Sequence, residues 1–378
     1  MTTNIRFLSL QTAPASADDA AYIASAVGYT EIRNSVFDGT MFRARTNAST
    51  NRNFSETIWS TTPTLLSDLS EDLAAFEARN AAHKWDKLRY NFFYITTIGS
   101  VVDWFSAGIN NVITNLKTAG EYAAAVNFVG IFFDVTAATS SCWRYSLMPQ
   151  KNQYTFAQYE RRVYEIAKEV VTSWLKSKPN MQIIFSAGYE NYYTALDAGT
   201  TAANNDYGFF KAWLNGIYDG VGEFFKTGYM NLQSNFMRHR GGEFPGPKII
   251  LSNQGGYSID DTDGRYQDEY VALKEATLGI SDARYKGDSV YFDTYTEFSL
   301  ALRADYNGTV APKFDNTDPP SNYHTPGSYV NPFIYASNFD NWIWNFSGFV
   351  FFYQYTKTIN EKYIDQIETT RSKLNMWQ

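Results

Sequence analysis

Apolar runs without alternation recur along the chain, and stretches with a helical period separate most of them. The sharpest run covers residues 127–136, Asn-Phe-Val-Gly-Ile-Phe-Phe-Asp-Val-Thr, which is apolar on both parities and ends in one carboxylate, Asp134. A strand buried on both faces, as in the middle of a parallel sheet, has this pattern. Seven further strands are expected at residues 5–10, 31–37, 89–96, 182–186, 248–252, 289–294 and 348–353. Helices are expected at residues 17–27, from Ser67 onward, through residues 105–116, and at 155–176, 206–225, 266–276 and 362–376. Ser67 is the expected N-cap of its helix, assisted by Glu71, with Leu69, Leu73 and Phe76 inward. The clearest period belongs to Phe156, Tyr159, Val163, Ile166 and Val170. Residues 40–62 read as a long polar loop, and residues 307–341 as a Pro/Asn/Tyr-rich excursion.

Eight strands, each followed by helical or loop material, predict an α/β fold: a single (β/α)8 TIM barrel over residues 1–378. The long insertions follow strands two, four and seven, which sets long loops on the C-terminal face of the barrel, where such folds keep their chemistry. A doubly wound sheet would open with a Gly-rich phosphate turn, whereas Gln-Thr-Ala-Pro-Ala-Ser follows the first strand here.

Charge and cysteine usage narrow the partners. A net charge of −7 excludes nucleic acid, whose phosphates need a basic stripe. The single cysteine, Cys142, excludes an intramolecular disulfide and a Cys-based zinc site. No apolar run is long enough to cross a membrane, and the N-terminus lacks a signal-peptide layout. The expected location is cytoplasmic, with leaderless release or virion association as the alternative; sequons at Asn47, Asn53, Asn307 and Asn345 then read as chance matches. The oligomeric state is left open. Aromatic residues stand out, with 28 Tyr, 28 Phe and 9 Trp. Most must pack the core, while some Tyr and Trp suit the apolar faces of sugar rings.

Several chemistries lack their residues. The three histidines, His83, His239 and His324, form no His-x-His pair at a strand end. Lys248 begins its strand, the wrong end for a Schiff-base lysine. The acidic turn at residues 260–264 fails the EF-hand pattern, and no nucleophile elbow or Walker loop occurs. No metal and no cofactor are therefore expected. The strand tips offer carboxylates, amides and tyrosines. Strand two ends near Asp38, strand four at Asp134, and strand five runs into Glu190 among Tyr189, Tyr192 and Tyr193. Strand six ends in Asn253 and Gln254, strand seven in Asp293, Tyr295 and Glu297, and strand eight at Tyr353. Glycoside hydrolysis needs this kit: one carboxyl protonates the leaving oxygen and a second serves as nucleophile or base. Apolar neighbours such as Phe132, Phe133 and Phe292 would raise the pKa of the acid by desolvation.

The catalytic candidates are Asp134 with Glu190 or Asp293. Sugar-binding candidates are Trp143, Arg144, Tyr192, Asn253, Gln254, Tyr295, Glu297, Trp342 and Tyr353. A lone Asp at a strand end also serves as a helix cap or loop anchor. The stretch Gly130-Ile-Phe-Phe-Asp134, with the other strand tips, resembles the TIM-barrel glycoside hydrolases as a broad class. The resemblance implies a carbohydrate substrate. The chain departs from the common pattern of Asn-Glu ending strand four and Glu ending strand seven, and it lacks the chitinase-type Asp-x-x-Asp-x-Asp-x-Glu. Two rival readings are a non-catalytic glycan-binding or virion/surface protein on a barrel scaffold, and a polysaccharide lyase with Tyr295 or Tyr353 as base. The acidic net charge suits acidic polymers poorly.

Overall fold

The computed structural model describes residues 6–11, 38–81, 89–97, 102–135, 142–186, 198–224, 247–253, 296–303 and 345–354; for 6–11, 251–253, 296–303 and 345–354 it describes the backbone. The described strands are β1 (Arg6–Gln11), β2 (Gly39–Phe42), β3 (Phe92–Thr96), β4 (Gly130–Asp134), β5 (Gln182–Ser186), β6 (Lys248–Asn253), β7 (Thr296–Arg303) and β8 (Asn345–Gln354). Neighbours in sequence pair in parallel from β1 to β8, and β8 pairs in parallel with β1. The fold is α/β on a parallel sheet, so the C-terminal ends of the strands share one edge. Along that edge, Thr96 of β3 pairs with Asp134, Asp134 with Ser186, and Ser186 with Ser252. The β7–β8 ladder has an irregularity between Phe298 and Leu300.

Strand alternation divides the apolar residues into two layers. Met41, Phe92, Tyr94, Phe132, Ile184 and Ile250 form a small cluster on one face. Phe93, Ile95, Ile131, Phe133, Ile183, Phe185 and Ile249, of the opposite parity, join a much larger cluster with the helices. Both parities are therefore buried, as the unalternating runs require. Gly130 opens β4 because the strands approach closely there: an added Cβ would stand 1.7 Å from the Gln182 carbonyl oxygen.

The described α-helices are α1 (Phe54–Thr57), α2 (Ser70–Ala81), α3 (Ile109–Ala125), α4 (Phe156–Ser177) and α5 (Phe210–Phe224). Helix α4 starts where the sequence predicts, with Thr155 as its cap. The Gln158 N–H donates to Thr155 Oγ1 at 3.3 Å and the Thr155 N–H to Gln158 Oε1 at 2.8 Å, a capping box. Tyr159, Val163, Ile166, Val170 and Trp174 form its buried face. Helix α5 lies close against α4: a Cβ on Gly216 would stand 2.4 Å from the Tyr164 carbonyl oxygen. Asn127 closes the turn between α3 and β4 with φ 57°, a left-handed conformation that Asn tolerates better than most residues.

The structure corrects several expectations. Strand β2 is Gly39–Phe42, so Asp38 precedes it, and its carbonyl accepts the Tyr90 N–H at 3.0 Å. Residues 40–62 are not one polar loop, because they hold β2, α1 and the buried Ala44, Phe54, Ile58 and Trp59. Helix α2 is tied by a distant residue rather than by Ser67. Asn47 Oδ1 accepts the Glu71 N–H at 3.0 Å, and Glu71 Oε2 accepts the Ala48 N–H at 2.8 Å. Strand β7 begins at Thr296, which sets Glu297 second in the strand, at the end opposite the C-terminal tips. The expected elements at residues 17–27, 31–37, 266–276, 289–294 and 362–376, and the excursion at 307–341, lie outside the described residues.

Candidate functional site

The site is built on the C-terminal ends of β3, β4 and β5. Asp134 is the last residue of β4 and is 5% exposed. It shares the parity of Phe132, whose ring stacks on Tyr94 with centroids 5.9 Å apart and 14° between planes. The Tyr94 hydroxyl donates to Asp134 Oδ2 at 2.6 Å, and the Ser186 hydroxyl donates to Asp134 Oδ1 at 3.0 Å. A hydroxyl at 2.6 Å is in the range of a charge-assisted bond to a carboxylate. Ser186 Oγ in turn accepts the Val135 N–H at 3.3 Å. The backbone of Asp134 is held as well: its carbonyl accepts the Thr97 N–H at 3.0 Å and the Thr97 hydroxyl at 3.2 Å. Three adjacent strands thus converge on one carboxyl group.

Arg43 stands just beyond β2, two residues past Met41 of the same inner cluster. Its guanidinium lies 5.1 Å from the Tyr94 ring centroid, within cation–π range. Arg43 Nη1 donates to Glu56 Oε1 of α1 at 2.6 Å. Burial pushes the Tyr94 phenol well above its ordinary pKa, and the charge and hydrogen bond of Asp134 push the same way, against Arg43. Tyr94 is therefore held as a neutral proton donor.

A second, outer constellation backs the tip. The Trp59 indole N–H donates to the Thr96 carbonyl at 2.7 Å, and its ring meets Phe133 edge-on at 5.9 Å. Trp143 is fully buried in this layer, with ring centroids 6.5 Å from Trp59, 6.2 Å from Trp104 and 5.8 Å from Trp213. The structure therefore places Trp143 in the core rather than in a sugar groove. Phe133 also faces this layer, so of the phenylalanines expected to desolvate the acid, Phe132 shares the side of Asp134, Phe133 does not, and Phe292 lies outside the described residues. Arg144 bonds Asp206 at 3.0 Å on the surface between the elements after β4 and β5.

Of the other expected site residues, Asn253 ends β6 and Tyr353 stands one residue from the end of β8, so their backbones lie at the same edge as Asp134. Glu190, Tyr192, Gln254, Asp293, Tyr295 and Trp342 lie outside the described residues. Sequence reasoning passed over Tyr94, Ser186, Arg43 and Glu56. The first two were inside expected strands, and their one signal is a polar group near the end of an apolar run. Among the described residues no group of three or more His, Cys, Asp or Glu side chains is arranged to hold a metal ion. No described helix is long and apolar enough to cross a membrane.

No family model matches the chain, and no curated protein sequence matches it. Solved structures with a similar course exist. A GH18 chitinase from Chromobacterium violaceum matches with a TM-score of 0.45 and 10% identity, over 90% of this chain and 78% of that one. A GH18 chitinase from Pseudoalteromonas aurantia matches with a TM-score of 0.44 and 9% identity, over 97% and 99%. A 3-keto-D-glucoside 4-epimerase from E. coli matches with a TM-score of 0.41 and 11% identity, over 97% and 98%. At these scores and identities the likenesses assign neither a family nor an activity.

Proposed function

We propose that the chain is a metal-independent glycoside hydrolase on a complete (β/α)8 barrel, with its long loops gathered on the C-terminal face around a poly- or oligosaccharide. The observation that carries this reading is Asp134: a carboxyl group at the tip of a central strand, held by hydroxyls from the strands on both sides. Two hydroxyl donors fix its oxygens in position, as a nucleophile or a base on water requires. Asp134 takes that role. The proton donor to the leaving oxygen is Glu190 or Asp293. Asn253 and Tyr353, whose backbones share the edge, hold sugar hydroxyls, as do Tyr192, Gln254 and Tyr295. The test is a screen of polysaccharides for new reducing ends, repeated with Asp134→Asn. Release by the wild type and its loss in the variant support the reading, and release at the wild-type rate by the variant overturns it.

One observation favours a second reading, a non-catalytic glycan-binding or virion/surface protein. Asp134 is nearly closed off, and its hydrogen bonds would equally serve to tie three strands together.

A further inference from the structure

We infer that Arg43 reads a carboxylate on the ligand, so that the glycan taken at the Asp134 tip carries an acidic sugar of the uronic or sialic type. The inference rests on the reading of this tip as a sugar site, though not on hydrolysis. A guanidinium carries five N–H donors in a planar fork. In Arg43, Nη1 is engaged by Glu56 at 2.6 Å, whereas Nε is buried and has no acceptor. The side chain is 14% exposed and its face is spent on the Tyr94 ring. Buried donors are normally filled, and a half-filled guanidinium beside a candidate site calls for an explanation. A sugar hydroxyl would use one donor, but a carboxylate fits the fork with two parallel bonds.

Glu56 shows how such an acceptor is met. It is the more exposed partner, at 41%, so it is the one free to yield the guanidinium to a ligand carboxylate. Tyr94 couples the two ends of the site, with Arg43 over its ring and Asp134 on its hydroxyl. A sugar whose carboxylate meets Arg43 would therefore lie across the Tyr94 edge toward Asp134. The net charge of −7 bears on the approach of an acidic polymer, not on the contact, which is local and short-ranged.

The experiment is calorimetric binding to the full-length Asp134→Asn variant, so that no turnover confuses the signal. The probes are oligogalacturonate, hyaluronan and sialic-acid oligomers, each beside its methyl-esterified form, which keeps the sugar and removes the charge. At least one acid is expected to bind about tenfold or more tightly than its ester. Adding Arg43→Lys, which keeps the charge and loses the fork, is expected to remove most of that preference, whereas adding Glu56→Gln is expected to strengthen acid binding. Equal binding of acid and ester, binding of no probe, or a preference untouched by Arg43→Lys overturns the inference. An acid preference without cleavage of the same polymer by the wild type would sustain it and defeat the hydrolase reading. Cleavage of neutral glycans without any acid preference would do the reverse.

Discussion

Buried Asp–Tyr pairs occur in two regions of this molecule, and only their placement tells them apart. In the helical layer, Tyr122 of α3 donates to Asp72 of α2, and Tyr159 of α4 donates to Asp103 at 2.9 Å. At the strand tips, Tyr94 donates to Asp134 at 2.6 Å. All three carboxyl groups are buried. Asp72 and Asp103 fasten helices to their surroundings; Asp103 also accepts the Phe105 N–H at 3.0 Å, as a turn residue does. Asp134 differs by what surrounds it: a second hydroxyl from Ser186, the shared edge of a parallel sheet, and a guanidinium over its tyrosine. A buried acid in an aromatic-rich chain is thus no functional signal by itself, because tyrosine hydroxyls make such acids tolerable. The signal is the convergence of several strand ends on the acid.

The comparison can be broken most strongly at Asp103. Asp103→Ala leaves the Tyr159 hydroxyl and the Phe105 N–H without their acceptor, and should cost about 3 kcal/mol in urea denaturation. It should leave ligand binding intact. A loss of binding without a loss of stability would erase the distinction between the regions.

Tyr94→Phe and Tyr159→Phe each remove one buried hydroxyl and should each cost about 1–2 kcal/mol. Stability alone will not separate them. Tyr94→Phe, unlike Tyr159→Phe, should also lower turnover, because it strips from the Asp134 carboxyl a hydroxyl that positions it.

Alkaline unfolding offers a finer probe. Burial first, and then the partner aspartate, raise the pKa of both Tyr94 and Tyr159 above the ordinary value. The folded state therefore holds these protons more tightly than the unfolded chain. Their contribution is complete below about pH 10 and is lost as the pH rises through the folded values. Either Phe variant should show a shallower loss of stability above about pH 10, followed by circular dichroism. An unchanged slope in both would show that neither phenol is held as described.

The smallest expected effect is at Trp59, whose indole N–H bonds the Thr96 carbonyl beside the tip. Trp59→Phe keeps an aromatic ring against Phe133 and should cost about 1 kcal/mol through the lost hydrogen bond.

Much of the scaffold was legible because burial on both faces leaves runs that no surface element imitates. The expected strand at residues 182–186 is found as Gln182–Ser186, and the helix expected at residues 155–176 is found as Phe156–Ser177. Strand β2 was missed because Gly39-Thr-Met-Phe42 is short and is followed by Arg, Asn and Thr, which masked the buried Phe54, Ile58 and Trp59. The site was legible only in part. Asp134 stood out as a charge ending an apolar run. Its partners Tyr94 and Ser186 lie 40 and 52 residues away, and only the strand register, which a single sequence does not carry, brings them together. Trp143 was misjudged because a tryptophan after a strand tip has the same sequence signature whether it lines a groove or fills the core.

The central claim, that Asp134 is a working carboxyl group and Asp103 a structural one, is tested most directly by turnover of Asp134→Asn and Asp103→Ala on a glycan that the wild type cleaves, with urea midpoints measured on the same samples. The account predicts that Asp134→Asn loses about a thousandfold in turnover and less stability than Asp103→Ala, while Asp103→Ala loses both hydrogen bonds to Oδ1 and keeps its turnover. Wild-type turnover in Asp134→Asn would contradict it.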